Sequence, residues 1–230
     1  MPKTLKMAKY KLLFFDLDGT IVNSMYDIGD AMNHTYRTFG HPEISYEEIP
    51  AMVGGGIRKL LVDAFGEEAD IDYIHKIFYD YYTQHYVDKT RPYPNVETAL
   101  QKLDFIPKAI FSNKPHRFTT GIIDKLALKK YFIYVQGARP ELYQNKPDPS
   151  GILYGLSQLN IRPQETLFIG DSTHDIQAGK AAGTDTCAVT YGYRSKDTLL
   201  AEKPNYIIDD LSELIDLSLG TLGTENHNAH

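Results

Sequence analysis

Lys11-Leu12-Leu13-Phe14-Phe15-Asp16-Leu17-Asp18-Gly19-Thr20 is the stretch from which the rest of the chain can be read. An apolar run ends in two carboxylates separated by one residue, and a glycine turn follows. A run of this length is predicted to be a buried parallel strand, and open α/β sheets place their ligands at the carboxyl ends of such strands. Successive side chains alternate in direction along an extended chain, but a turn at Gly19 can swing Asp18 back over Asp16. One carboxylate, Asp16, is then able to attack, and its neighbour, Asp18, is able to carry protons. The alternative is an acidic loop at a strand end, where Asp and Gly are common because chains turn there.

Working outward, further apolar runs at 108–111, 132–136, 166–169, 186–190 and 205–208 read as strands. Segments of helical length lie between them, at 95–103, 114–126, 148–159 and 174–182. Strand alternating with helix predicts right-handed crossovers and an α/β fold, a Rossmann-like, mostly parallel sheet flanked by helices. Residues 24–91 break this alternation and read as helices at 24–39, 46–52, 57–65 and 70–86, without a convincing strand. In the last of these, Ile74, Ile77, Phe78, Tyr81, Tyr82 and His85 recur at intervals of three and four, which gives one apolar packing face. Pro92 and Pro94 mark the return to the sheet. The expected organisation is a core of 1–23 and 92–230 with an inserted all-helical cap domain at 24–91. The tail at 220–230 is polar and unpatterned, and there is no internal repeat.

Length and composition bound the function. With 230 residues, 42% hydrophobic and 23% charged, the chain has the make-up of an ordinary globular protein. A net charge of −6 argues against nucleic acid as a partner. Lys3, Lys6, Lys9 and Lys11 form a small basic group that reads as solvated. The single cysteine, Cys187, suits a reducing compartment. No run approaches the ~20 apolar residues of a membrane span, and the N-terminus lacks the apolar core of a secretion signal. A cytoplasmic protein, monomeric or homodimeric, without membrane partners, is expected.

Three more polar motifs fall at the ends of predicted strands: Phe111-Ser112-Asn113-Lys114, Asn145-Lys146-Pro147-Asp148-Pro149, and Phe168-Ile169-Gly170-Asp171-Ser172-Thr173-His174-Asp175. Together with the first stretch, in this order, they resemble the haloacid dehalogenase superfamily of phosphohydrolases and phosphomutases, from about residue 11 to 192. A helical insert directly after the first strand resembles the phosphoglycolate phosphatase and β-phosphoglucomutase branch. The resemblance implies a Mg²⁺-dependent phosphatase of a small phosphorylated metabolite, with 2-phosphoglycolate as the first candidate substrate. It leaves open a phosphomutase of the β-phosphoglucomutase type and a pyrophosphatase or nucleotidase.

In such an enzyme Asp16 is the nucleophile that forms an acyl phosphate, splitting one difficult step into two. Asp18 acts as acid and then as base. Its presence matters, because dehalogenases and some transport ATPases of the superfamily lack an aspartate there. By resemblance, Asp16 and the backbone carbonyl of Asp18 bind Mg²⁺, and Asp171 is assigned as the second carboxylate ligand. Asp175, four residues on, either binds the metal or holds neighbouring groups through hydrogen bonds, unless it is an ordinary helix N-terminal acid. His174 is read as a solvated turn residue with no role.

Clustered carboxylates need a counter-charge, and Lys146, in a loop stiffened by Pro147 and Pro149, is the candidate; it resembles the family's phosphate-binding lysine. Ser112 and Asn113 resemble the second motif and would donate to phosphate oxygens. Relatives often carry aspartate at the position of Asn23, which lies at the hinge into the insert. Gly54-Gly55-Gly56-Ile57-Arg58 is the most unusual segment of the insert, with amides free to approach a ligand. The resemblance makes it a substrate-specificity loop, more like phosphoglycolate phosphatases than mutases, and Arg58 a candidate partner for a substrate anion. A phospho-accepting receiver module is the non-catalytic alternative, but its acidic strand has no helical insert behind it.

Overall fold

The computed structural model describes residues 8–219, so Lys3, Lys6 and the tail at 220–230 lie outside the described residues. The chain begins with β1 (Leu12–Phe15) and β2 (Val22–Asn23), followed by α1 (Met25–Thr38), α2 (Ile49–Met52), α3 (Ile57–Phe65) and α4 (Ile71–His85). It returns through β3 (Arg91–Pro92) to α5 (Val96–Lys102), β4 (Lys108–Pro115), α6 (His116–Lys125), β5 (Tyr134–Ala138) and α7 (Ser150–Leu159). The last third comprises β6 (Thr166–Gly170), α8 (Thr173–Ala182), β7 (Asp185–Val189), α9 (Lys196–Ala201), β8 (Tyr206–Ile208) and α10 (Glu213–Leu219). None of these helices is long and apolar enough to cross a membrane.

Strand β1 organises the molecule because all four of its side chains are fully buried. Their alternation divides the core in two. Leu13 and Phe15 pack with Val96 and Leu100 of α5, Ile122 of α6 and Leu214 of α10. Leu12 and Phe14 pack on the opposite face with Ile152 and Leu156 of α7 and Ala178 of α8. The second face is tight: a Cβ on Gly151 would lie 2.2 Å from Phe111 Cζ, and one on Gly155 2.8 Å from Phe14 Cζ. Glycine at these two sites of α7 lets the helix rest directly on the aromatic rings.

Six parallel strands lie in the order β5-β4-β1-β6-β7-β8. The chain runs outward from β1 to β4 and β5, then crosses back to enter β6 on the other side of β1. This reversal opens a crevice beyond the carboxyl ends of β1, β4 and β6, where such sheets bind ligands.

The insert has its own apolar centre. Ile28 and Met32 of α1, Leu60 and Leu61 of α3, and Ile74, Phe78 and Tyr82 of α4 are buried together. Asp70 starts α4 by accepting from the Tyr73 amide at 3.1 Å. One core residue, Phe118 of α6, joins this cluster, with its ring centroid 4.9 Å from that of Tyr82. The aromatic face of α4 therefore does what its period implied, partly within the insert and partly against the core.

Entry to and exit from the insert are joined by an antiparallel pair that the sequence did not signal: Val22 opposite Pro92 and Asn23 opposite Arg91. Two residues per strand are too few for any periodicity to appear. Asp27, fully buried in the first turn of α1, ties the pair to the returning chain. Its carboxylate accepts from the amides of Lys89 and Thr90 at 2.8 Å each and from Thr90 Oγ1 at 2.6 Å. Asp27→Ala would orphan these donors, and a loss of stability on the order of 3 kcal/mol is expected. Urea denaturation followed by circular dichroism measures it; a loss below about 1 kcal/mol would mean that water takes over the donors without penalty.

Candidate active site

Asp16 follows the last residue of β1 and continues the ladder, its amide donating to Ile169 O at 2.8 Å. The chain then turns at Gly19, whose φ of +87° is in the left-handed region, and a Cβ there would stand 2.2 Å from Asp171 Oδ2. Glycine thus brings the first and last acidic motifs into contact. Side-chain oxygens of Asp16, Asp171 and Asp175 all fall within 4.8 Å of one another, and all three residues are buried.

The ammonium of Lys146 enters this cluster from the loop before α7. It lies 2.6 Å from Asp16 Oδ1 and 2.6 Å from Asp175 Oδ1, and donates to Phe111 O at 3.2 Å. Burial alone would lower the lysine pKa, but Asp16 and Asp175 outweigh it and hold the ammonium above its ordinary value. Burial pushes the Asp16 carboxyl up to about 7, against the pull of Lys146 and with further push from Asp175. Asp171 is raised well above the usual carboxylate range by burial and by repulsion from Asp175 and Asp16. Three buried hard-oxygen donors with one ammonium among them have the charge deficit that a divalent cation fills.

Asp175 is placed by its own helix. Its Oδ2 accepts from Ser172 N at 3.0 Å and from Ser172 Oγ at 2.6 Å, forming the capping box of α8. Both of its oxygens are engaged, one on the helix start and one on Lys146, so it is a helix-capping acid and a support for the lysine at once.

Asp18 occupies a separate environment. Ser24 Oγ donates to its Oδ1, and Lys114 Nζ lies 2.9 Å from its Oδ2. Lys114 was expected to open a helix. Instead β4 continues to Pro115 and α6 starts at His116, so Ser112, Asn113 and Lys114 all project from a strand end. Ser112 Oγ accepts from the Lys114 amide at 3.2 Å, which leaves its own proton for another acceptor. The Asn113 side chain is already committed: Nδ2 donates to Gly54 O at 2.8 Å and to Lys146 O at 2.9 Å, while Oδ1 accepts from Lys146 N at 2.8 Å. It joins the strand, the lysine loop and the insert rather than offering its amide to a ligand.

The glycine loop reaches the crevice through Gly54 and Gly56, which line it together with Asp16, Ser112, Lys114 and Lys146. These two glycines have φ of +124° and +93°, whereas a Cβ on Gly55 would meet the flexible Lys59 side chain. Arg58 does not turn toward the acids; it pairs with Asp72 at 2.6 Å on the exposed face of the insert. The arginine at the crevice is Arg194, which donates to the carbonyls of Pro50 and Val53, the latter at 2.6 Å. Its neighbour Tyr193 donates its amide to Asp171 Oδ2 at 2.7 Å, and its hydroxyl accepts from the Ser24 amide at 3.1 Å. His174 is half-buried, with Nδ1 unpartnered among the described residues, and its ring faces Gly54.

Sequence reading passed over Ser24, Lys114, Tyr193 and Arg194. Lys114 carried a signal, since it directly follows Ser112-Asn113 at a strand end. Tyr193 and Arg194 carried a weaker one in Gly192, where a Cβ would stand 2.4 Å from Gly19 O. A backbone approach that close marks a loop pressed against the acidic turn.

Residues 13–189 match the family described as haloacid dehalogenase-like hydrolase. Phosphoglycolate phosphatase 1 of Pseudomonas aeruginosa is 34% identical over 216 residues, covering 89% of this chain and 78% of that protein. The phosphoglycolate phosphatase of Psychrobacter arcticus is 35% identical over 228 residues, covering 94% and 99% respectively. Among solved structures, a predicted phosphoglycolate phosphatase from Haemophilus somnus 129pt aligns with a TM-score of 0.83 at 29% identity, over 92% of this chain and 99% of that one. With the parallel sheet, the helical insert and four ordered motifs converging on one crevice, the chain belongs to the haloacid dehalogenase-like hydrolases.

Proposed function

We propose that this protein hydrolyses a small phosphorylated metabolite through a phosphoryl group carried transiently on Asp16, with 2-phosphoglycolate as the substrate its relatives' names suggest. The observation that carries the reading is the division of labour between two carboxylates only one residue apart. Asp16 sits against Lys146 among the buried acids, and Asp18 sits apart against Lys114 and Ser24. Different environments give two like groups different roles.

In the first step an Asp16 oxygen attacks phosphorus, the bond from phosphorus to the alcohol oxygen breaks, and Asp18 gives that oxygen its proton. In the second, water attacks phosphorus, Asp18 takes the water proton, and the bond to Asp16 breaks to release phosphate. Ser112, whose own proton is uncommitted, would donate to a phosphoryl oxygen, and Lys146, positioned by Asn113, would supply positive charge beside Asp16. The carboxylates of Asp16 and Asp171 with the backbone carbonyl of Asp18 would hold Mg²⁺, and Asp175 would steady the site through Lys146. Bound there, Mg²⁺ supplies positive charge to offset repulsion between the nucleophile and the phosphate. Residues 24–91 act as the cap, and 1–23 with 92–230 as the catalytic core. The apolar lining that the cap contributes, including Ile28, Leu60 and Phe78, favours hydrolysis over a mutase, which has to hold sugar hydroxyls in two orientations.

Asp16→Asn is expected to lower phosphate release by about a thousandfold or more while keeping the parent circular-dichroism spectrum. Near-parental turnover in the folded variant would contradict the assignment. The metal is tested without turnover: Mg²⁺ should raise the Tm of the parent and raise that of Asp171→Ala much less. Equal shifts in both would remove Asp171 from the metal site.

The cap loop yields a separate expectation. Gly54→Val imposes a strained φ beside Arg194 and His174, and should reduce kcat/KM for the preferred metabolite by about tenfold or more. Arg58→Ala, which removes only a surface pair, should stay within about twofold of the parent. A large loss in Arg58→Ala would mean that the loop rearranges to bring Arg58 onto the substrate.

A further inference from the structure

Lys146 already provides the buried cation that faces Asp16, yet the crevice holds a second one. Lys114 projects from the end of β4, with only 5% of its side chain exposed. Asp18 takes one of its three donors. Burial acts to lower the Lys114 pKa, but Asp18 and Tyr82 prevail and keep the ammonium charged. The ammonium lies 5.3 Å from the centre of the Tyr82 ring, on α4 of the insert. The Tyr82 residue is 1% exposed; its hydroxyl oxygen interacts with the Lys114 ammonium, and its own proton meets no acceptor among the described residues. The other side chains that the insert contributes to the crevice, Ile28, Val53, Ile57, Leu60 and Phe78, are all apolar. A buried hydroxyl proton without an acceptor is costly, and one placed beside an ammonium is set to donate to an anion.

We propose, on the basis of the phosphatase reading, that Lys114 and Tyr82 form a subsite for a second anionic group of the substrate, a carboxylate carried close to the phosphate ester oxygen. One ammonium and one hydroxyl match the two oxygens of a carboxylate. A second phosphate would bring more charge than a single ammonium, already shared with Asp18, balances. Lys114 comes from the core and Tyr82 from the insert, so a carboxylate held between them would also join the two across the crevice. Lys114 and Tyr82 would then be the residues that distinguish a phosphorylated hydroxy acid from a phosphorylated sugar or simple alcohol.

The test compares 2-phosphoglycolate with ethyl phosphate, which has the same two-carbon length and no carboxylate. Removing Lys114 also disturbs Asp18, but that loss falls on both substrates and cancels in the ratio of their kcat/KM values. In Lys114→Met this ratio should fall by about tenfold or more, chiefly through KM for 2-phosphoglycolate, as expected for a lost charged hydrogen bond. Lys114→Arg should restore part of it. Tyr82→Phe keeps the ring and the packing, so it remains informative should Lys114→Met fail to fold; its ratio should fall by about threefold or more. A parent that shows no preference for 2-phosphoglycolate, or ratios unchanged in both Lys114→Met and Tyr82→Phe, overturns the subsite. Those results would leave the phosphatase reading standing, whereas turnover that survives Asp16→Asn would remove the reading itself.

Discussion

The ammonium of Lys146, buried between Asp16 and Asp175, is the interaction on which the rest of the site depends. Its two 2.6 Å contacts gather the end of β1, the start of α8 and the loop before α7 around one charge. Such a cluster is expensive to desolvate, and removing one partner of a buried pair typically costs about 3–5 kcal/mol because the other charge is left uncompensated. The surrounding structure is arranged to hold it. Asn113 grips both the amide and the carbonyl of Lys146, and Ser172 fixes the far oxygen of Asp175. The Asp16 carboxylate is thereby presented toward the crevice at a defined place, which is what an in-line displacement at phosphorus requires.

Around this fixed centre, a few polar groups join the insert to the core, beside the apolar packing of Phe118 against Tyr82. Gly54 O accepts from Asn113, the Pro50 and Val53 carbonyls accept from Arg194, and Ser24 bridges Asp18 and Tyr193. Each joins a residue that lines the crevice to residues 24–54 of the insert. Two of them reach the acidic site itself: Ser24 donates to Asp18, and Asn113 holds the backbone of Lys146 as well as Gly54 O. The fold thus distinguishes the buried acids gathered around Lys146 from the polar contacts that join core and insert.

What the sequence disclosed follows the same division. The strand that ends in Asp16 was legible because a sheet covered on both faces demands an unbroken apolar run, and β1 is buried throughout. Asp171, Asp175 and Lys146 were legible because their motifs stand at strand or helix boundaries. Contacts between the core and the insert were not. Lys114 was hidden because β4 runs past its apolar segment into polar residues that the insert, not a helix of the core, covers. Arg58 and Arg194 look alike as sequence. Which of them meets the crevice depends on Asp72, fourteen residues from Arg58, and on carbonyls some 140 residues from Arg194. The glycine loop stood out as a loop, yet the distinction between Gly54 and Gly56 on one side and Gly55 on the other lies in backbone angles that composition does not encode.

The central claim is that Asp16 becomes covalently phosphorylated during turnover, and trapping that species tests it most directly. Mixing the protein with a phosphate monoester and Mg²⁺, quenching in acid within the first turnover, and sequencing peptides by mass spectrometry locates any phosphoryl group. The account predicts one phosphoryl group, labile to hydroxylamine as an acyl phosphate is, on the peptide that contains Asp16, and none in Asp16→Asn. Phosphate released at full rate in the first turnover with no such adduct, or an adduct on another residue, would contradict it.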